Sequence, residues 1–385
     1  MEISALNPNA QATRAGGPEL LQCRLRNQRL VDSRFRRPAD VVSWLGAVQS
    51  QDFPAAKWSI SLRANDVRES EIDQAFDAGE ILRTHILRPT WHFVHRDDLR
   101  WLLALSGPRV EGRIRPYYKT QELDTKLFRR SHATFERALE GGRSLTRPEL
   151  GAALARARIP SSGIRLAFIV MQAELAGVIC SGPRRGKLLT YMLLEERARR
   201  SRAMTRDEAL AELTRRYFTS HGPATIRDFV WWSGLTVTDA RAGLAMNAST
   251  LVRDQVDSLT FWHDGKRLTK PVSSPLVRLL ANYDEYFIAF QDRAWFTAPR
   301  LPTASARDRS IFAHQLVIDG QLCGAWSRTL RAKTVDIDVR PFRVLRNSER
   351  GAVVAEAERY GRFLELPPNI RIDPQKTQKT QKATL

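Results

Sequence analysis

Apolar residues recur at helical spacing in short blocks along the chain, and several blocks are followed by short alternating runs. Residues 39–48 set four apolar side chains on one helical face, Val41, Trp44, Leu45 and Val48. This pattern predicts a helix. We expect the helix to deliver two amides, Gln49 and Gln51, to its C-terminal end.

The next ninety residues complete one pattern and begin another. Residues 55–63 and 70–78 predict two helices, the first with Asp52 as its N-cap. Residues 81–95 alternate and are interrupted at Pro89, which predicts two strands. Three short helices followed by a hairpin is the order of a winged helix. A helix over residues 97–105 is expected to end at Gly107 and Pro108.

The same order recurs twice further along the chain. Thr-x-x-Glu capping boxes begin at Thr146 and Thr205, and Thr225 and Thr236 cap the two helices that follow the second box. Paired strands are predicted after each group of helices, over residues 178–181 with 188–193 and within residues 251–263. Three copies favour a helix-turn-helix architecture more strongly than one copy does.

Beyond residue 270 the apolar period changes to that of strands. Residues 311–318 and 321–328 alternate and are joined by Asp319-Gly320, which is typical of a tight hairpin. A further strand is expected over residues 334–339 and a helix over residues 349–364.

The fold class predicted from these patterns is α+β, with three tandem winged-helix modules followed by a β-rich C-terminal domain. The boundaries follow the changes in pattern. They are a disordered tail over residues 1–18, modules over 19–120, 121–203 and 204–270, the C-terminal domain over 271–367, and a second disordered tail over 368–385.

The net charge of the chain indicates which class of partner it binds. The chain has 61 Lys and Arg against 42 Asp and Glu, a formal net charge of +19, which favours a polyanion. Without a long apolar run or a leader pattern, we expect double-stranded DNA as the partner, no membrane, and a cytoplasmic, nucleoid-associated protein. Nothing in the sequence implies a protein partner, so a monomer is expected.

Metal and cofactor sites are not predicted. The three cysteines, Cys23, Cys180 and Cys323, are far apart, and the seven histidines lack ligand spacing. We therefore expect no metal site and no cofactor.

Two basic stretches are candidate DNA contacts. The first mixes cations with tyrosines, and the second is the turn of a predicted wing. The candidate residues are Arg109, Arg113, Arg115 and Lys119 in the first stretch, and Arg184, Arg185 and Lys187 in the second. A solvated linker face and an exposed turn remain the respective alternatives.

Gln49 and Gln51 stand two residues apart, immediately before Asp52. If the chain is extended there, both side chains point the same way and can hold one small polar species. The alternative is that they satisfy backbone carbonyls at a helix end.

Several segments together resemble the bacterial winged-helix DNA glycosylases of the AlkZ/YcaQ type over residues 20–366. The matching segments are Gln49-Ser50-Gln51, the run from Thr84 through Val94, residues 182–197, residues 220–235, and Tyr283 through Tyr286. The Gln-x-Gln motif is similar to that of the AlkZ-like branch, in which it is catalytic. Ser50 occupies a position where the family usually has an aliphatic residue.

The resemblance implies a monofunctional DNA glycosylase that excises alkylated purines, with Gln49 and Gln51 as catalytic residues. An N7-alkylguanine already carries positive charge, so little acid catalysis is needed and the amides would orient the attacking water. Four further residues are candidates for the pocket, namely Asp52, His92, Asp284 and Glu285. For each of them a structural role is an alternative: a helix cap for Asp52, a core position for His92, and a structural corner for Asp284 and Glu285.

The rival class is a non-catalytic winged-helix DNA-binding protein, a regulator or an architectural protein. It accounts for the charge and for the repeated order of elements. It leaves Gln49 and Gln51 without a function.

Overall fold

The computed structural model describes residues 17–198, 203–266, 273–297 and 313–373. After a lead-in helix, α1 (Gly17–Asn27), the first segment of the chain contains three helices and a small sheet. The elements are α2 (Pro38–Leu45), β1 (Val48–Gln49), α3 (Phe53–Ser61), α4 (Glu69–Asp77), β2 (Ile81–His85) and β3 (Trp91–His95). The sheet has the order β1-β3-β2, so β3 is its central strand.

A long helix, α5 (Leu99–Thr120), leads into a second segment with the same order of elements. The segment contains α6 (Thr125–Leu139), β4 (Leu145–Thr146), α7 (Arg147–Arg156), α8 (Ile164–Leu175), β5 (Ile179–Ser181), β6 (Thr190–Leu193) and the short α9 (Leu194–Arg197). Its sheet order is β4-β6-β5, which corresponds to that of the first sheet.

The third segment repeats the helices and the final hairpin. It contains α10 (Arg206–Ser220), α11 (Ile226–Ser233), α12 (Val237–Met246), β7 (Val252–Val256) and β8 (Leu259–His263). Ala224 forms a single antiparallel bridge with Trp262, in the place that β1 and β4 occupy in the earlier segments. The order of one helix, an edge strand or bridge, two helices and a hairpin is therefore present three times.

The C-terminal part is built on one five-stranded sheet with the order β13-β12-β11-β10-β9. Its elements are β9 (Val277–Leu280), α13 (Glu285–Ile288), β10 (His314–Ile318), β11 (Gln321–Leu330), β12 (Val335–Pro341), α14 (Asn347–Leu364) and β13 (Pro368–Ile372), with a 3-10 turn at Ala294–Phe296. Asp319 and Gly320 join β10 to β11 with positive φ angles of 51° and 85°, as predicted for a tight hairpin.

Helix α2, predicted over residues 39–48, is shorter than predicted. It ends at Leu45, where Gly46 adopts a φ of 80°. Gln49 therefore lies in strand β1 and not at a helix end. A two-residue strand carries too little alternation to be recognised from the sequence.

The predicted helix end at Pro108 is also wrong. Helix α5 continues through Pro108 and Pro116, both of which are on its exposed side. The opposite side buries Val110, Ile114 and Tyr118 against the core of the second segment. Burial of these three side chains offsets the cost of the prolines.

The predicted C-terminal tail begins too early in the chain. Residues 368–372, predicted to be disordered, form β13, which pairs in parallel with β12. Residues 1–16 and 374–385 of the two predicted tails lie outside the described residues, and α1 already begins at Gly17.

Two apolar cores hold these segments together. The larger core is shared by the first segment, the third segment and the C-terminal sheet, and the smaller belongs to α5 and the second segment. Within the described ranges, no helix is long and apolar enough to cross a membrane.

Candidate active site

Gln49 lies in β1, directly beside the central strand of the first sheet. It pairs with His92 across the β1–β3 ladder, and His92 pairs with Thr84 of β2. Residues in register on neighbouring strands point to the same face, so these three side chains form one polar row. Gln49 is 6% exposed, and Thr84 and His92 are fully buried.

Gln49 is held at two points by buried charged residues. Its backbone N–H donates to Oε1 of Glu285 at 2.9 Å. Its side-chain Oε1 accepts from Nη2 of Arg88, also at 2.9 Å. A guanidinium can only donate, so the carbonyl end of the amide must face Arg88. The Nε2 end makes no hydrogen bond in the described part of the chain and is not among the enclosed, unpaired atoms.

Glu285, at the start of α13, connects this strand to the third segment. Its Oε2 accepts from Nε1 of Trp232 at 2.9 Å and lies 3.5 Å from Nε2 of His221. Burial lowers the pKa of His221. The carboxylate is fully buried. In the structure, Glu285 anchors the backbone of Gln49.

Arg88 follows β2 and is 9% exposed. Burial lowers its pKa, and the negative charge of Glu285 opposes that effect. The guanidinium carbon also lies 5.9 Å from the ring centroid of Trp231. Arg88 and Glu285 thus place opposite charges on two sides of Gln49.

The backbone between the two glutamines is fixed by a second arginine. Arg83 donates from Nε and Nη2 to the carbonyl oxygen of Ser50, at 3.1 and 3.0 Å. Its guanidinium stacks over Trp91, 4.4 Å from the ring centroid, and burial lowers its pKa to about 10. The N–H of Ser50 donates to the carbonyl of Trp91 at 2.8 Å, which extends the ladder by one residue.

Gln51 differs from Gln49 in its surroundings. It is exposed, and its side chain makes no hydrogen bond to any described residue. Of the two predicted catalytic amides, one is therefore buried and anchored and the other is exposed and free, so their surroundings differ.

Asp52 caps helix α3, as the sequence suggested. Its Oδ1 accepts from the N–H of Ala55 at 3.1 Å, and Oδ2 accepts from Nδ2 of Asn282 at 3.2 Å. Both carboxylate oxygens are engaged. The cap is the role that the geometry accounts for.

Asp284 is a structural residue. It forms a fully buried pair with Arg63, with N–O distances of 2.9 and 2.7 Å, and accepts from Oγ of Ser59 at 2.6 Å. Burial favours the protonated carboxyl, but Arg63 reverses that effect and the pKa of Asp284 is lowered. No free acceptor remains to act on a substrate.

His92 is neutral. Burial lowers its pKa well below the usual value, and the nearby charge of Arg88 lowers it further. Its Nδ1 lies 3.0 Å from the carbonyl oxygen of Thr90, so Nδ1 carries the proton. His92 is consequently an uncharged ring beside Gln49 on the next strand, with its Nε2 enclosed and without a partner among the described residues.

The first basic stretch lies on helix α5 and not on a linker. Its four cations, Arg109, Arg113, Arg115 and Lys119, are all exposed. Arg109 and Arg113 also approach the carbonyl oxygen of Gly234, at 3.4 and 3.3 Å. Helix α5 therefore carries a cationic outer face.

The cations of the second stretch are less free than predicted. Arg184 pairs with Asp73 and Asp77 of helix α4, each at 2.8 Å. Arg185 donates from Nη1 to Glu149 at 3.0 Å, whereas Lys187 is exposed. The charge of Arg184 joins two segments of the fold and is not available at a turn tip.

Sequence reasoning did not single out Arg88 or Arg83, although both lie in the predicted strand pair. Both are far along the chain from the residues that they hold, by 39 and 33 positions. The only sequence signal was that Arg88 falls inside the motif from Thr84 through Val94. No group of three or more His, Cys, Asp or Glu side chains among the described residues is arranged to hold a metal ion.

Comparisons with known proteins show that the chain matches a known family. A family model for AlkZ-like DNA glycosylases matches residues 42–363. The interstrand DNA cross-link repair glycosylase of Streptomyces sahachiroi is 26% identical over 332 residues, which are 81% of this chain and 88% of that protein. The structure of the Streptomyces sahachiroi DNA glycosylase AlkZ matches with a TM-score of 0.73 and 21% identity, over 94% of this chain and 100% of that chain.

The structural match establishes a mixed α+β fold of the same kind, and the family match covers most of the chain. Every residue of the site described above lies within the matched range. The chain belongs to the AlkZ-like DNA glycosylase family, and it is a DNA glycosylase that acts on DNA.

Proposed function

We propose that this glycosylase hydrolyses the N-glycosidic bond of N7-alkylated purines in duplex DNA and that Gln49 and Gln51 hold the attacking water. The observation that carries the proposal is the contrast at the motif. Gln49 is anchored at its backbone and side chain, and Gln51 beside it is exposed and free. An anchored amide next to a free one can fix a small molecule between them.

The chemistry requires little more than position. The water oxygen bonds to C1′ of the sugar, and the C1′–N9 bond breaks with its electron pair passing to the cationic base. The base leaves neutral, and the proton of the water passes to solvent. Neutral amides are too weakly basic to take that proton, so their contribution is orientation. The product is an abasic site, with no covalent intermediate on the protein.

The three repeated segments are proposed to be tandem winged-helix modules. Each has the order of helix, edge strand, two helices and a hairpin. The exposed cations on α5 support contact with the phosphate backbone. The non-catalytic alternative is not favoured, because the matching family model is one of glycosylases.

Crosslinked DNA is proposed as a second substrate class. The support is the relative from Streptomyces sahachiroi, which is named for interstrand crosslink repair. An N7-linked crosslink presents the same cationic leaving group as a simple N7-alkylguanine, so the same step would release one of its two attachments.

The test is single-turnover release of 7-methylguanine from a duplex, with DNA affinity measured in parallel. Gln49→Ala and Gln51→Ala should each slow release by about 10²-fold while affinity changes little. Gln74→Ala, an exposed glutamine on α4, is the matched control. Full release rates in both motif variants, in folded protein, would show that the amides are only structural.

A further inference from the structure

The contact between Arg88 and Gln49 has a consequence for the direction of hydrogen bonding at the site. Asparagine and glutamine amides are usually ambiguous, because their oxygen and nitrogen ends are alike in shape. Here the partner decides, since a guanidinium has five donors and no acceptor. Gln49 must turn its oxygen to Arg88 at 2.9 Å and its Nε2 away from it.

The backbone anchor restricts where the side chain of Gln49 can lie. Glu285 holds the N–H of Gln49, and the residue is paired with His92 in the ladder. With the main chain fixed and the side-chain oxygen fixed, little rotational freedom remains. The donor end is the part of Gln49 left for a ligand.

Gln51 has no such constraint. Its side chain is exposed and makes no hydrogen bond within the described ranges, so its oxygen remains available. A water placed between the two amides is therefore offered a fixed donor on one side and a free acceptor on the other.

Resting on the proposed function, we infer that the two glutamines have opposite roles: Gln49 donates from Nε2 to the oxygen of the attacking water, and Gln51 accepts one of its O–H groups. Arg88 is the positioning residue that imposes this polarity. With one lone pair and one hydrogen of the water engaged, the remaining lone pair is directed at C1′. Bonds and charges then change as in the hydrolysis described above, with the proton of the attacking water released to solvent.

Replacing each glutamine by glutamate separates the two roles. Both changes add the same charge and keep the same shape, but a carboxylate can only accept. Gln49→Glu should lose the donor and release base as slowly as Gln49→Ala. Gln51→Glu keeps an acceptor and should release base at least about tenfold faster than Gln51→Ala.

The single-turnover release rates of these four variants and of the wild type test the assigned polarity. A Gln49→Glu rate near that of the wild type, with Gln49→Ala impaired, overturns the assigned polarity and leaves the proposed function intact. Gln51→Glu as slow as Gln51→Ala also overturns it. Unimpaired release in both alanine variants is a different outcome, because it removes the proposed function itself.

Arg88 is tested by a double-mutant cycle, which a purely structural role would not satisfy. Arg88→Met should slow release by about tenfold or more in the wild-type background and have no further effect in the Gln49→Ala background. Equal effects in both backgrounds overturn the positioning role. If Arg88→Met does not fold, Arg88→Gln, which can present either a donor or an acceptor to Gln49, is measured in the same two backgrounds and should show the same pattern.

Discussion

The site is defined at the scale of single residues by which hydrogen-bonding groups are engaged and which are free. Five polar side chains around the motif each hydrogen-bond to another residue of the fold, and they are Asp52, Arg83, Arg88, Asp284 and Glu285. Gln51 and the Nε2 end of Gln49 make no hydrogen bond to the described residues, and Ser50 Oγ, Thr84 Oγ1 and His92 Nε2 nearby are enclosed without a partner. Buried partners hold the motif, and the two amide groups are the ones proposed to meet the water.

Only part of this arrangement follows from the sequence. The motif itself was found because two amides precede a capping Asp, a local pattern. The contact between Gln49 and Glu285 joins residues 236 positions apart, and nothing local in either segment predicts it. Asp284 and Glu285, adjacent in the chain, were interpreted alike, yet one pairs with Arg63 and the other anchors Gln49.

His92 gives a prediction at this scale. Its pKa is lowered in the folded protein by burial, so the unfolded chain binds a proton below about pH 6.5 that the folded chain does not. Stability from this residue is therefore present above that pH and is lost as the pH falls. His92→Asn removes the titration while keeping a donor for Thr90.

Urea denaturation at pH 7.5 and pH 5 measures the effect. The free energy of unfolding of the wild type should fall by about 2 kcal/mol more than that of His92→Asn over this interval. His95→Asn, at a partly exposed histidine of the same strand, controls for the loss of an imidazole. Parallel losses in wild type and His92→Asn would contradict a neutral, buried ring.

At the scale of elements, the starts of several helices could be predicted from the capping residues that precede them. Thr146, Thr205, Thr225 and Thr236 were predicted to begin helices, and each directly precedes one. The last three form reciprocal capping boxes, whereas at Thr146 only the Glu149 carboxylate returns to the backbone N–H. Such boxes are local, so the sequence alone locates them. Helix ends were predicted less well, as Pro108 inside α5 shows, because burial on the far side of a helix is a tertiary effect.

Strand β13 was not predicted from the sequence, because its pairing depends on a distant partner. Its partner β12 lies before the eighteen-residue helix α14, so the pairing is parallel and non-local. The segment alternates between half-buried and exposed residues and packs Ile370 and Ile372 against the core. A short, Pro-flanked run at the end of a domain gave no sign of this partner.

We predict that β13 stabilises the C-terminal sheet. Replacing both Ile370 and Ile372 by Ala should lower the free energy of unfolding by about 2 kcal/mol or more, because each partly buried side chain loses apolar contact. Chemical denaturation measures this change. Arg371→Ala, which alters the exposed residue between them, is the control and should have a much smaller effect. No difference between the two variants would mean that β13 contributes nothing to the core.

At the scale of the whole molecule, net charge overstates the surface available to DNA. The chain carries +19, but Arg24, Arg63, Arg83 and Arg88 are each 9% exposed or less. Arg184 is committed to two aspartates of α4. The cations of α5 remain exposed, so we expect them to supply more of the phosphate contacts than Arg184 does.

Salt dependence of duplex binding tests this distribution. If roughly 6 to 10 phosphates are contacted, affinity should fall by about 10³ to 10⁵ between 50 and 200 mM salt. Arg115→Gln with Lys119→Gln should reduce the slope of log affinity against log salt by about 2. Arg184→Gln should leave the slope nearly unchanged and lower stability instead. An equal loss of slope at Arg184 would contradict this distribution of cations.

The central claim is that Gln49 and Gln51 together hold the attacking water. The most direct measurement is a crystal structure of the protein bound to duplex DNA that carries a cationic pyrrolidine in place of one deoxyribose, as a mimic of the oxocarbenium sugar. We predict one ordered water about 3 Å from Nε2 of Gln49, from Oε1 of Gln51 and from the carbon that corresponds to C1′. A water held at that carbon by other groups, with both amides remote from it, would contradict the account.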